Sequence, residues 1–155
     1  MAVAKAVSIA HVESELAAVE LWPARDGWSI LWDADSLLLV VLMRSTIDGE
    51  RYIFEFELDD YRQLPPSIEL VHPETGEVGI RRSYPGGGRG YFHNKPVICA
   101  PWNRKAYQTH GGPHSDWVMK NWASYRLNHS RLGDMLVLLQ ELLDDRASYT
   151  GRMER

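Results

Sequence analysis

Hydrophobic and polar positions change their spacing several times along the chain, and each change marks an element. From Val3 to Leu21 the apolar residues Val3, Val7, Ala10, Leu16, Val19 and Leu21 recur at roughly helical spacing with charges between them. Pro23 and Gly27 end this helix. Three β-rich runs follow, Trp28 to Trp32, Leu37 to Met43 and Arg51 to Leu58. Asp48-Gly49 between the second and third is a hairpin signal, because glycine takes positive φ without steric cost. In "RYIFEFEL" apolar and polar residues largely alternate, as on a half-buried antiparallel strand.

Pro65-Pro66 stops strand pairing, and "SIELV" then predicts a fourth short strand that ends at the His72-Pro73 turn. Residues 77 to 113 are rich in Gly and Pro and weakly periodic, which predicts mostly loop. "SDWVMKNWASYRL" predicts a helix with Ser115 or Asp116 as N-cap. "SRLGDMLVLLQELLDDRA" carries a stripe of Leu132, Met135, Leu136, Leu139, Leu142 and Leu143, the strongest helical pattern in the chain. The order is helix, four-strand meander, long irregular segment and C-terminal helices, an α+β pattern. It fits one domain over residues 1–150 with a short tail at 151–155.

Composition changes this picture little. The 155 residues suffice for one domain with a core, and 45% hydrophobic with 25% charged residues is ordinary for a globular protein. Six tryptophans call for a core or an interface to cover them. The net charge of −4 gives no general electrostatic case for nucleic acid. The longest apolar run, "LLLVVLM", is strand-sized, so no membrane span is expected. His11, Glu13 and Glu15 break up the N-terminal segment before a signal-peptide core develops. A single cysteine forms no internal disulfide and fits a reducing cytoplasm.

That residue, Cys99, lies in "HNKPVICAPWNRKAY". Read locally it is either a small buried hydrophobe or a nucleophile. His110 and His114 in "HGGPHSDW" are candidates to activate or orient an attacking amine, with Asp116 beside them; the alternative is a hydrogen-bonded loop with Asp116 as a helix cap. A zinc site drawn from Cys99, His93, His110 and His114 is arithmetically possible, but Gly111-Gly112-Pro113 breaks the helix that would align two of the rings. No cofactor is expected. "PGGGRG" lacks the Gly-Lys-Ser/Thr ending of a phosphate loop and is read as an insertion made locally basic by Arg81, Arg82 and Arg89.

The element order, together with "FEFELDDYRQLPPSIELVHPETGEVG", Cys99, "DWVMKNW" and the leucine-rich helix, resembles the ubiquitin-conjugating enzyme (UBC-like) fold over about residues 1 to 146. The resemblance implies that Cys99 is the catalytic cysteine. In the eukaryotic family a His-Pro-Asn motif shortly precedes that cysteine, and its Asn stabilises the oxyanion. Here Glu74 follows His72-Pro73, and an insertion containing "SYPGGGRGYF" intervenes. His93-Asn94, five to six residues before Cys99, is the candidate replacement. The residues after Cys99 look more like bacterial ubiquitin-conjugating-like proteins of CBASS and related antiphage operons. That implies an acyl transferase carrying a C-terminal glycyl group as a thioester. The implied partners are a cGAS-like nucleotidyltransferase or a ubiquitin-like modifier, with an activating enzyme as a further candidate. The alternatives are a non-catalytic UBC-like binding module and, behind it, a Cys-His hydrolase using Cys99, His114 and Asp116.

Overall fold

A computed structural model describes residues 2–22, 27–109, 117–125 and 129–154. The first helix, α1, spans Lys5–Val19, and four strands follow: β1 Ser29–Asp33, β2 Leu38–Arg44, β3 Arg51–Glu57 and β4 Ser67–Val71. They form one antiparallel sheet in the order β1-β2-β3-β4. The expected meander is therefore present, with strand ends shifted by about one residue. Gly49 takes φ +77° in the β2–β3 turn, as the Asp-Gly signal requires.

Strict alternation sorts the sheet into two faces. Leu39, Val41, Met43, Tyr52, Phe54, Phe56, Ile68 and Leu70 all point inward and are fully buried. Against them lies the leucine-rich helix, here α4, Leu132–Leu143. Every residue of its predicted stripe is buried, and Leu138 widens it. Helix α1 packs on α4 through Val12 and Val19. Buried Glu15 of α1 joins the two: its carboxylate accepts hydrogen bonds from the Leu132 N–H and the Tyr61 hydroxyl, each 2.7 Å long. It thereby caps the start of α4 from another element. The Glu15 carboxylate and burial together push the Tyr61 hydroxyl well above its ordinary pKa, burial being the larger cause.

The segment expected to be mostly loop is more ordered than its composition suggests. It holds a small hairpin, β5 Phe92–His93 and β6 Val97–Ile98, and a six-residue helix, α2 Arg104–Thr109. The glycine-rich insertion is held by the chain end. Gly86 N–H donates to the Gly151 carbonyl at 2.7 Å, and Met153 N–H donates to the Tyr84 carbonyl at 2.9 Å. Residues 151–154 are thus joined to the domain, with Met153 buried and the Arg152 guanidinium 4.5 Å above the Tyr52 ring.

The predicted helix after residue 115 starts later than its sequence suggests. Its described part is one 3₁₀ turn, Met119–Asn121, followed by α3, Trp122–Tyr125. Val118 is extended because the Tyr125 hydroxyl accepts its N–H at 2.8 Å and Trp117 stacks on the Tyr125 ring. The N-cap candidates Ser115 and Asp116 lie outside the described residues.

Candidate functional site around Cys99

Cys99 directly follows β6. Its N–H donates to the Tyr91 carbonyl at 2.7 Å, which extends the β5–β6 ladder by one pair. The hairpin packs Phe92 and Ile98 inward, and Tyr91 stacks on Trp102 with ring centroids 6.3 Å apart. The thiol is left half-buried at the edge of the core.

The chain beyond Cys99 is pinned to the start of β4. Asn103, fully buried, accepts the Ile68 N–H at 3.0 Å and the Lys105 N–H at 3.1 Å, and its amide donates to the Ile98 carbonyl at 2.9 Å. One side chain therefore caps α2, ties it to β4 and closes the loop that carries the thiol. Arg104 adds a backbone bond to the Pro66 carbonyl and side-chain bonds to Pro65 and Asp59. Pro65-Pro66 thus supplies unpaired carbonyls for the cysteine segment to dock on. Asn103 escaped the sequence reading. The available signal was an Asn immediately before a helix-forming "RKAYQT", an N-cap placement.

Burial raises the Cys99 thiol above its ordinary pKa, and among the described residues no other cause acts on it. A thiol in this state is mostly protonated at neutral pH, while the thiolate it does form is intrinsically strong as a nucleophile. Such a group suits exchange with an acyl donor that is already a thioester.

The predicted neighbours separate into three groups. His93 pairs with Val97, so the ladder puts it on the same face as Cys99, one diagonal step away, with Cα atoms about 7–8 Å apart. Asn94 follows in the exposed turn of the hairpin, beyond the last pair. His110, His114 and Asp116 lie outside the described residues. His72 is occupied locally, its Nδ1 accepting the Glu74 and Thr75 N–H groups at 3.2 Å, so the His-Pro turn closes on itself. Among the described residues no group of three or more His, Cys, Asp or Glu side chains could hold a metal ion.

A set of rings flanks the cysteine loop. The Tyr107 hydroxyl donates to the Pro101 carbonyl at 2.9 Å, and the Tyr107 ring leans on Trp117, 6.2 Å away. Burial, with Tyr125 adding to it, pushes the Tyr107 hydroxyl up to about 12. A cavity of about 270 Å³ bordered by Glu15, Trp22, Arg131 and Asp134 lies between α1 and α4, away from the hairpin.

Comparison with known proteins finds no matching family model, no matching curated protein and no matching solved structure. What stands is an α+β chain with an N-terminal helix, a four-stranded antiparallel sheet and C-terminal helices. Among the described residues no helix is long and apolar enough to cross a membrane.

Proposed function

We propose that the protein is a bacterial UBC-like acyl transferase, working in the cytoplasm as part of an antiphage operon. The observation that carries this reading is the position of Cys99. A half-exposed thiol follows a helix and a four-strand meander and precedes the C-terminal helices, on a loop anchored to β4 by Asn103 and Arg104.

The chemistry is thioester exchange followed by aminolysis. The Cys99 thiolate attacks the carbonyl of a partner's C-terminal glycyl thioester, and the donor thiolate leaves. An amine then attacks the Cys99 thioester. The C–S bond breaks, the sulfur leaves as thiolate, and the amine loses its proton to a base or to water. Each tetrahedral intermediate places negative charge on oxygen, so one well-aimed donor is worth roughly 100- to 1,000-fold in rate. His93 and Asn94 are the candidates for that role or for shaping the loop. His110, His114 and Asp116 are the candidates for orienting the amine. The partner in this reading is a cGAS-like nucleotidyltransferase or a ubiquitin-like modifier, delivered by an activating enzyme where one is present.

Coexpression with the genomic neighbours, followed by non-reducing gels and intact-mass analysis, tests this. The expected result is a reductant-sensitive adduct that disappears in Cys99→Ala and becomes a reductant-resistant oxyester in Cys99→Ser. Unchanged adduct formation and activity in Cys99→Ala would sink the catalytic reading.

A second reading, a non-catalytic UBC-like binding module, draws on one observation. Burial raises the thiol, and among the described residues no cation lowers it. It predicts partner capture that is indifferent to Cys99→Ala and gives no adduct.

A further inference from the structure

The outer face of the four-stranded sheet plays no part in the thiol site, and its charges are arranged by register. Ser29, Leu42, Ile53 and Val71 form one row across the strands, extended by Val78 through its bridge to Val71. On one side of this row lies the next, Leu31, Val40, Glu55 and Glu69, with Asp33, Leu38 and Glu57 beyond it. On the other side lie Arg44 and Arg51, paired with each other. Leu31 is 71% exposed and Val78 51%, while α1 and α4 pack on the opposite, inner side. The face is therefore a mainly apolar band with carboxylates along one margin and guanidinium groups along the other. Within the acidic margin Glu69 is already held by Lys105 and the Tyr84 hydroxyl, while Glu55 and Glu57 face outward.

Such a face is complementary to itself in one orientation. A two-fold axis between two sheets, running across their strands, reverses strand direction and lays each margin over its opposite. An axis running along the strands would instead stack like charge on like charge. We infer that the outer sheet face is a homodimer interface, in which Leu42 and Ile53 pack on their equivalents and Arg51 of each copy lies over Glu55 of the other. Residues equally distant from Ile53 face one another in this arrangement, which is why position 51 meets position 55. Aligned sheets pack face to face about 10 Å apart, a gap that Arg and Glu side chains span.

The area sets the strength. Two strands about 24 Å long and two about 17 Å long, spaced about 4.8 Å apart, present roughly 400 Å² per copy. That is below the ~800 Å² per partner of a stable complex. The dimer is thus weak and concentration-dependent, and the paired charges choose its register and orientation. It does not depend on the reading of Cys99.

Sedimentation equilibrium on the full chain, from about 5 to 500 µM, tests the inference, with circular dichroism melts confirming that each variant is folded. The wild type is expected to move from monomer to dimer across this range. Arg51→Glu alone and Glu55→Lys alone should each weaken association by about tenfold or more, because like charges then face each other. An equimolar mixture of the two variants should restore it, since each supplies the charge the other lacks, and the Arg51→Glu/Glu55→Lys double variant should self-associate like wild type. Three results overturn the inference: a wild type that stays monomeric at 500 µM, a dimer indifferent to both reversals, or reversals that the mixture does not rescue. A monomeric wild type that binds a different protein through this face counts among them.

Discussion

At Cys99 the decisive physical quantity is solvent access. Because burial raises the thiol, its alkylation by iodoacetamide should be slow at pH 7 and rise with a midpoint above the ~8.5 of a free cysteine. A stopped-flow or mass-spectrometric pH profile measures this, and a midpoint near 7 would mean that an unrecognised cation sits by the sulfur. The thiol's setting rests on Asn103. Asn103→Ala leaves the buried Ile68 N–H without its partner and removes one of two donors to the Ile98 carbonyl, which keeps the Ala100 N–H. We expect a loss of ~1–3 kcal/mol in denaturant unfolding, set chiefly by the desolvation of the Ile68 N–H. The same variant should alkylate faster at Cys99, because β6 and the loop after it lose their tie to β4. Equal stability and equal alkylation in Asn103→Ala would deny the residue its anchoring role. The sequence exposed Cys99 itself, since it is the one thiol, but not its surroundings. His93 and Asn94 are adjacent in the chain, yet one sits on the ladder face of the thiol and the other in the turn. That difference depends on hairpin register, which two short strands with few alternating residues do not specify.

Among the elements, legibility followed local periodicity. The α4 stripe and the alternation in β2 and β3 are strong repeating signals, and these elements form where their patterns place them. Helix α2 is too short to show a period, and its start is fixed by a side chain that bonds to β4. The glycine-rich insertion reads as loose because its order comes from residues about sixty positions away. Gly87 shows this most sharply. It takes φ +81°, and a Cβ there would lie 1.7 Å from the Ser148 carbonyl oxygen. Gly90 has a similar φ of +84° with nothing within 4 Å. Gly90→Ala bears the cost of positive φ, about 1–2 kcal/mol, and Gly87→Ala bears at least as much, because ψ −119° takes Gly87 outside the left-handed helical region. In Gly87→Ala the chain end must also move away. Gly87→Ala should therefore melt well below Gly90→Ala and release the 148–153 segment to hydrogen exchange, whereas Gly90→Ala should leave that segment protected. Equal melting temperatures would show that the C-terminal segment does not hold the insertion.

For the whole molecule, the sheet divides the work between its faces. The inner face is uniformly apolar and supplies the core that α1 and α4 cover. The outer face retains charge within an apolar setting, and Glu55 carries the consequence. It lies directly across from Glu69, with Glu57 two residues along the same strand. Its carboxyl is raised by burial first, then by Glu57 and Glu69. A carboxyl raised in the folded state favours folding while it is protonated, below the ~4.3 of an unfolded glutamate, and that advantage is lost as pH rises through the folded value. At neutral pH the charged Glu55 therefore weakens the isolated fold. Directly opposed like charges cost roughly 0.2–1 kcal/mol, so Glu55→Gln should raise the melting temperature of dilute protein at pH 7 by about 1–3 °C. The gain should shrink as the pH falls and vanish below about pH 4, where the wild-type side chain is itself neutral. Thermal melts of both proteins at low concentration across this range measure it. A gain of the same size at pH 3.5 and pH 7 would show that the substitution acts through packing instead of charge. A residue that weakens the monomer at neutral pH, at a position where Arg51 of a second copy would neutralise it, is what an association surface requires of its charged margin.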